Sequence, residues 1–319
     1  MIRSSHSSTV GLLTLALLAA LSAMAAGCAD PAALRMNAPE THGKVYYLDG
    51  VGCYGFGRDS VPAGLRMAGF RGDVEYWSWS ATKTPLDQFG GGLVRVQAGD
   101  LAKMIAMFRK AYPGRPVSVI GLSGGTGVAV YACEQLPDGI YVDEVVLIAS
   151  SLSERYDLTK ALRHIHGSIT LFQTNGDIAL GMARVVGTID GAPLATSAGL
   201  VGFHPPDRLG PADRELYRTK VHNVPYSASF AGLGFTGSHT SAVGSPAFIR
   251  SKIGPIITAH ACDPDTAGRP AGPLPSTRPE IETATPVTTP TTPIVPTTQP
   301  TLAAPPSSQP EQAQAVKSL

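Results

Sequence analysis

Cysteine is scarce in this chain, with four in 319 residues, at positions 28, 53, 133 and 262. Their spacing fits no metal motif, so nothing here calls for a bound metal or another cofactor. Charge of one sign is missing too. The 25 Lys and Arg against 24 Asp and Glu leave a net +1, which gives no electrostatic reason to expect a nucleic-acid partner. The Gly-rich stretch at 121–127 lacks the following Lys of a phosphate-binding P-loop. No segment repeats internally. From about residue 263 to the end there is no aromatic residue at all. That region is dominated by Pro, Thr, Ser, Ala and Gln, and cannot bury enough apolar surface to offset its ordering entropy. It reads as a disordered tail over 263–319.

The first 27 residues have the composition of an export signal. Arg3 supplies the positive start, Val10 to Leu21 the apolar stretch, and small residues follow. The apolar stretch is too short to favour a permanent membrane span. It ends in Ala25-Ala26-Gly27-Cys28, which resembles a bacterial lipobox with Ala25 where Leu is usual. The resemblance implies lipidation of Cys28 and a membrane partner through that anchor, with the chain exported to the cell envelope. Without lipidation, the chain is expected to be periplasmic or extracellular. A linker over 28–42 then leads to one folded domain, 43–262. Its cysteines 53, 133 and 262 allow one disulfide in an oxidising compartment, and the sequence does not select the pair.

Within that domain, apolar runs of strand length alternate with helical stretches, the pattern of a mostly parallel sheet covered by helices. Strands are expected over 45–48, 73–79, 116–121, 141–149, 168–172 and 219–224. Helices are expected over 62–70, 98–112, 125–136, 157–165 and 246–257. The run 141–149 suits a strand buried on both faces. Residues 181–211 are rich in Gly and Pro and resist assignment.

Gly121-Leu122-Ser123-Gly124-Gly125 carries the chemistry. A serine hydroxyl is a weak nucleophile unless geometry and a neighbouring base assist it. A strand run, Val117 to Ile120, precedes the motif, and a helix-forming run from Thr126 follows. Gly121 and Gly125 permit the sharp turn of a nucleophile elbow. Strand, Gly-x-Ser-x-Gly and helix inside an alternating pattern resemble the α/β-hydrolase fold, in its lipase and esterase branch. The resemblance covers roughly residues 40–260. It implies a triad in the order nucleophile, acid, histidine, with no cofactor.

The acid is expected in a loop after a downstream strand, and Asp177 in Gln173-Thr174-Asn175-Gly176-Asp177 fits. Asp157 is the alternative, and Asp143 is less attractive at the start of a strand. The base is expected late, and His239, flanked by Gly237 and Ser238, fits best. His204 is its main rival. His222 falls within a strand, His164 and His166 close a short helix without a third metal ligand, and His42 and His260 flank the domain. The oxyanion donors implied by the resemblance are the backbone N–H groups of Gly124 and Val51. Here Asp49-Gly50 stands where lipases often carry His-Gly. Trp77 and Trp79, alternating with Glu75, read as residues packing a helix on the sheet. The stretch 187–203 could shape a substrate mouth.

The resulting expectation is a secreted or lipid-anchored carboxylic ester hydrolase working through an acyl-enzyme, on a small-molecule or lipid ester. Two alternatives stand beside it. One is an acyltransferase with the same triad. The other is a non-catalytic envelope lipoprotein that keeps the fold as a binding module.

Overall fold

The computed structural model describes residues 42–80, 83–84, 91–177, 180, 187–192 and 194–260. The leader, Cys28, most of the linker, Cys262 and the Pro/Thr-rich tail lie outside the described residues. Among the described residues, no helix is long and apolar enough to cross a membrane.

Among the described residues, six strands form one sheet: β1 (Lys44–Leu48), β2 (Asp73–Trp77), β3 (Val117–Leu122), β4 (Val145–Ile148), β5 (Ile169–Phe172) and β6 (Val221–Val224). Every pairing is parallel, in the order β2-β1-β3-β4-β5-β6. Parallel strands need covering elements on both faces, and the two-residue period of each strand supplies two apolar faces. Tyr46, Leu48, Val119 and Leu147 pack on one side with α2 (Gly91–Ala111) and α3 (Gly124–Glu134). Val45, Tyr47, Ile120 and Ile148 pack on the other with α1 (Ser60–Met67) and the C-terminal helical turns. Strands β3 and β4 are buried along their whole length, as their apolar runs require. This is the mostly parallel α/β sheet, covered by helices on both faces, that the sequence pattern implied.

The chain steps from β1 outward to β2, then returns across β1 to β3. A reversal of winding opens a crevice at the carboxyl ends of the two strands that flank it, here β1 and β3. The loop after β1 and Ser123 after β3 stand at that point.

Several expected boundaries move, each for a physical reason. The second strand ends at Trp77 rather than Trp79, because Trp79 turns under the loop after β1 and donates its indole N–H to the carbonyl of Asp49 (2.7 Å). The fourth strand begins only at Val145. Val142 makes an isolated bridge to Ile165, while Asp143 and Glu144 turn their carboxylates to local partners. The helix expected from 98 begins seven residues earlier, at Gly91. The helix expected over 157–165 shortens to α4 (Thr159–Leu162). A short α5 (Ala198–Val201) and a longer α6 (Pro211–Lys220) occupy stretches that carried no expected helix. The expected last helix, preceded by α7 (Ser241–Gly244), divides into α8 (Pro246–Phe248), a π-helical turn (Ile249–Ile253) and α9 (Gly254–Thr258). Pro255 lacks the N–H that would carry a regular helix through this point.

Among the described residues, Cys53 and Cys133 form no disulfide. Cys133 is sealed within α3, where burial pushes its thiol up to about 12.

Candidate active site

Ser123 sits between the end of β3 and the first turn of α3 with φ 51° and ψ −121°. A non-glycine residue held there costs about 1–3 kcal/mol and persists only where its surroundings over-determine it. They do so here. Its N–H donates to the carbonyl of Ile148 on β4 (2.9 Å), and its carbonyl accepts from the N–H of Thr126 (3.0 Å) and from the Thr126 hydroxyl. Thr126 is tied in turn to the Ser150 hydroxyl (3.0 Å) and the Ser151 N–H (3.3 Å).

The flanking glycines are steric requirements. A methyl group on Gly125 would fall 2.4 Å from the Asp49 carbonyl oxygen, and one on Gly121 would fall 2.9 Å from the Gly125 carbonyl oxygen. The turn therefore places its backbone directly on the end of β1. A methyl group on Gly50 would lie 3.3 Å from Ser123 Cβ, so the loop after β1 borders the serine itself.

Asp177 follows β5 and His239 follows β6. Their side chains meet at 2.6 Å, His239 Nδ1 to Asp177 Oδ2. The backbone joins the same two loops, since Asn175 N–H donates to the Gly237 carbonyl (3.0 Å). The Asp177 side chain is 1 % exposed and that of His239 25 %. The second Asp177 oxygen accepts from the Leu180 N–H (3.2 Å). Burial pushes the Asp177 carboxyl up, but the His239 hydrogen bond and charge, with the Leu180 and Thr174 donors, outweigh it and hold the group below its ordinary value.

The other candidates are engaged elsewhere. Asp157 accepts from the Thr159 N–H (3.1 Å) and hydroxyl (2.6 Å) and pairs with Arg208 (2.8 Å). Asp143 pairs with Arg109 (2.6 Å), at the opposite end of the sheet. His204 is exposed, its backbone N–H bonded to the Glu154 carbonyl (2.8 Å). His164 Nδ1 meets the Ile140 carbonyl, His166 stacks on Tyr141, and His260 meets Glu144 (2.9 Å). His222 lies in β6 as expected.

The sequence reading underrated three residues around the serine. A methyl group on Gly124 would meet Val51 Cγ1 (2.7 Å), Trp79 Cζ2 (3.2 Å) and Ile189 Cδ1 (3.3 Å). Trp79 therefore packs beside the elbow and not on a strand face. Ile189 covers the first turn of α3, held by its own N–H on the Ser151 carbonyl (3.1 Å) and by Asp190 on Ser153 (2.7 and 2.9 Å). The glycine spacing of α3, at 124 and 127, was the available signal, because each gap receives part of Ile189.

Asp49 is the third. It is wholly buried, and its carboxylate accepts from the N–H groups of Gly50 (2.8 Å), Gly55 (2.6 Å) and Phe56 (2.9 Å) and from the Tyr76 hydroxyl (3.2 Å). Burial raises its carboxyl above the ordinary value, against the pull of those four donors.

No protein-family model matches the chain, and no curated protein matches it. Among solved structures, a dienelactone hydrolase from Anabaena variabilis is 16% identical, with 69% of this chain and 87% of that one covered and a TM-score of 0.39. A predicted CIB-like hydrolase from Thermoplasma acidophilum is 14% identical over 65% and 81%, TM-score 0.33. A thioesterase of the prodiginine biosynthetic pathway in Streptomyces coelicolor is 11% identical over 69% and 86%, TM-score 0.36. Likenesses this distant transfer no chemistry, and the reading of the site rests on its own geometry.

Proposed function

We propose that the chain is a serine hydrolase of carboxylic esters, with Ser123 as nucleophile, His239 as base and Asp177 as the orienting acid. The observation that carries this reading is the 2.6 Å bond between His239 Nδ1 and a buried Asp177 carboxylate, on loops at the same end of the sheet as the elbow serine. With Nδ1–H donated to Asp177, Nε2 is the nitrogen left to accept a proton. It takes the Ser123 hydroxyl proton as Oγ bonds to the substrate carbonyl carbon. The carbonyl electrons move onto oxygen, and the N–H groups of Gly124 and Val51 receive that charge. The tetrahedral species collapses, the leaving alkoxide takes the proton from His239, and an acyl-serine remains. Water, deprotonated by His239, then releases the acid. A thioester would follow the same course with a thiolate leaving.

A fluorophosphonate probe tests the nucleophile. Wild-type protein is expected to label stoichiometrically and Ser123→Ala not at all, and labelling that persists in the variant sinks the assignment.

We also propose export with lipid attachment at Cys28. Produced in a bacterium with lipoprotein processing, the wild type is expected in the detergent phase of a phase-partitioning assay and Cys28→Ser in the aqueous phase. If both remain aqueous, there is no anchor.

A further inference from the structure

Asp49 presents an energetic problem. A buried carboxylate is costly unless it is paired or saturated with donors. Among the described residues it forms no ion pair, and its compensation is the four donors of the loop after β1 and of Tyr76. Those bonds clamp the loop at both ends, Gly50 on Oδ1 and Gly55 with Phe56 on Oδ2. Within the loop, Cys53 N–H is taken by the Gly50 carbonyl (3.0 Å). Among the described residues, no acceptor takes the N–H of Val51.

The same residue fixes the loop against the elbow. Its carbonyl takes the Trp79 indole N–H (2.7 Å), and Trp79 and Val51 both close on Gly124. Gly124 opens α3, where the first N–H groups have no intrahelical partner. Two backbone donors without an acceptor among the described residues, Val51 and Gly124, thus flank Ser123, and Asp49 holds the loop that carries the first.

Resting on the serine-hydrolase reading, we propose that Asp49 is a positioning residue. By capturing the N–H groups of Gly50, Gly55 and Phe56, it aims the Val51 N–H at the oxyanion formed when Ser123 attacks. The carboxylate does the work that a fixed backbone turn could not do alone, since a loop with this much glycine has many conformations of similar energy.

The test uses the full-length chain and a p-nitrophenyl ester. Asp49→Asn keeps the shape but sets an amide donor against donors. It is expected to lower kcat about 10²-fold, the effect of losing one oxyanion donor, with KM within about threefold. Affinity for phenylboronic acid, which mimics the tetrahedral state once bound to serine, is expected to fall with kcat. Fluorophosphonate labelling is expected to slow but still reach completion. A folded Asp49→Asn with unchanged kcat, or with loss confined to KM, overturns the proposal. If that variant does not fold, Tyr76→Phe removes only the 3.2 Å donor. It is expected to lower kcat severalfold at constant KM, and an unchanged kcat overturns the proposal. Wild-type protein that neither labels nor turns over the ester overturns the parent reading, and this inference with it.

Discussion

Asp177→Asn is expected to lower kcat about 10⁴-fold with KM little changed. The carboxylate accepts a proton-bearing Nδ1 at 2.6 Å, which leaves Nε2 unprotonated and available. A carboxamide in its place can present its NH₂ to Nδ1. That stabilises the opposite tautomer, with the proton on the nitrogen that accepts from Ser123 in the proposed mechanism. It also removes the negative charge that stabilises the imidazolium. Asp157→Asn serves as the contrast, because its carboxylate is committed to Thr159 and Arg208, and it is expected to leave kcat within about twofold. Steady-state kinetics on one ester decide the matter, and equal losses in the two variants would dissolve the assignment. A second readout follows from linkage. The folded Asp177 carboxyl lies below its ordinary value, so its contribution to stability is fully present above the unfolded value near 3.8. It is lost as pH falls through the folded one. Wild type and Asp177→Asn are therefore expected to draw together in stability as pH falls below about 4, and to meet only below the folded value.

What could be read in advance is what local sterics or chain order dictate. Gly121 and Gly125 announce the elbow because no other residue fits where their missing side chains would strike backbone oxygens 2.4–2.9 Å away. The Asp177–His239 pair could be anticipated from position, since each follows a late strand. Asp49 could not. Its identity departs from the residue expected there, and its role depends on donors six and seven positions along the chain that only the folded loop delivers. Trp79 misled because a period of two continues through Glu75, Trp77 and Trp79, while the backbone leaves the sheet after Trp77. Helix α6 was missed because its only buried side chain is Tyr217. Its remaining surface is charged and reads as loop, and its start at Gly210-Pro211 was the overlooked signal. The early start of α2 was hidden by Gly91-Gly92, which reads as a breaker and here begins the helix.

The far end of the sheet supports the second large prediction. Asp143 lies just before β4, nearly buried, with Arg109 at 2.6 Å, the Val117 N–H at 2.7 Å and His166 at 3.5 Å. Arg109, in the last turn of α2, also donates to the carbonyls of Tyr141 (2.9 Å) and Arg115 (2.6 Å). One carboxylate therefore links the end of α2, the first residue of β3 and the approach to β4. Asp143→Ala strands a half-buried guanidinium and a buried strand N–H, and is expected to lower stability by about 3–5 kcal/mol. For a domain of this size that is a fall in Tm of roughly 6–20 °C. Burial pushes the Asp143 carboxyl up, yet His166, the Arg109 charge, the Val117 N–H and the His260 charge bring it below its ordinary value. Its share of stability is therefore present above the unfolded value of 3.8 and lost as pH falls through the folded one. The substitution should not touch catalysis. Strand β3 rises about 3.3 Å per residue, which sets Val117 roughly 20 Å from Ser123. Thermal unfolding measured beside kcat on folded protein separates the two ends of the sheet. A Tm within 2 °C of wild type would show that Arg109 and Val117 find other partners. An intact Tm with lost activity would mean that this end of the sheet communicates with the serine.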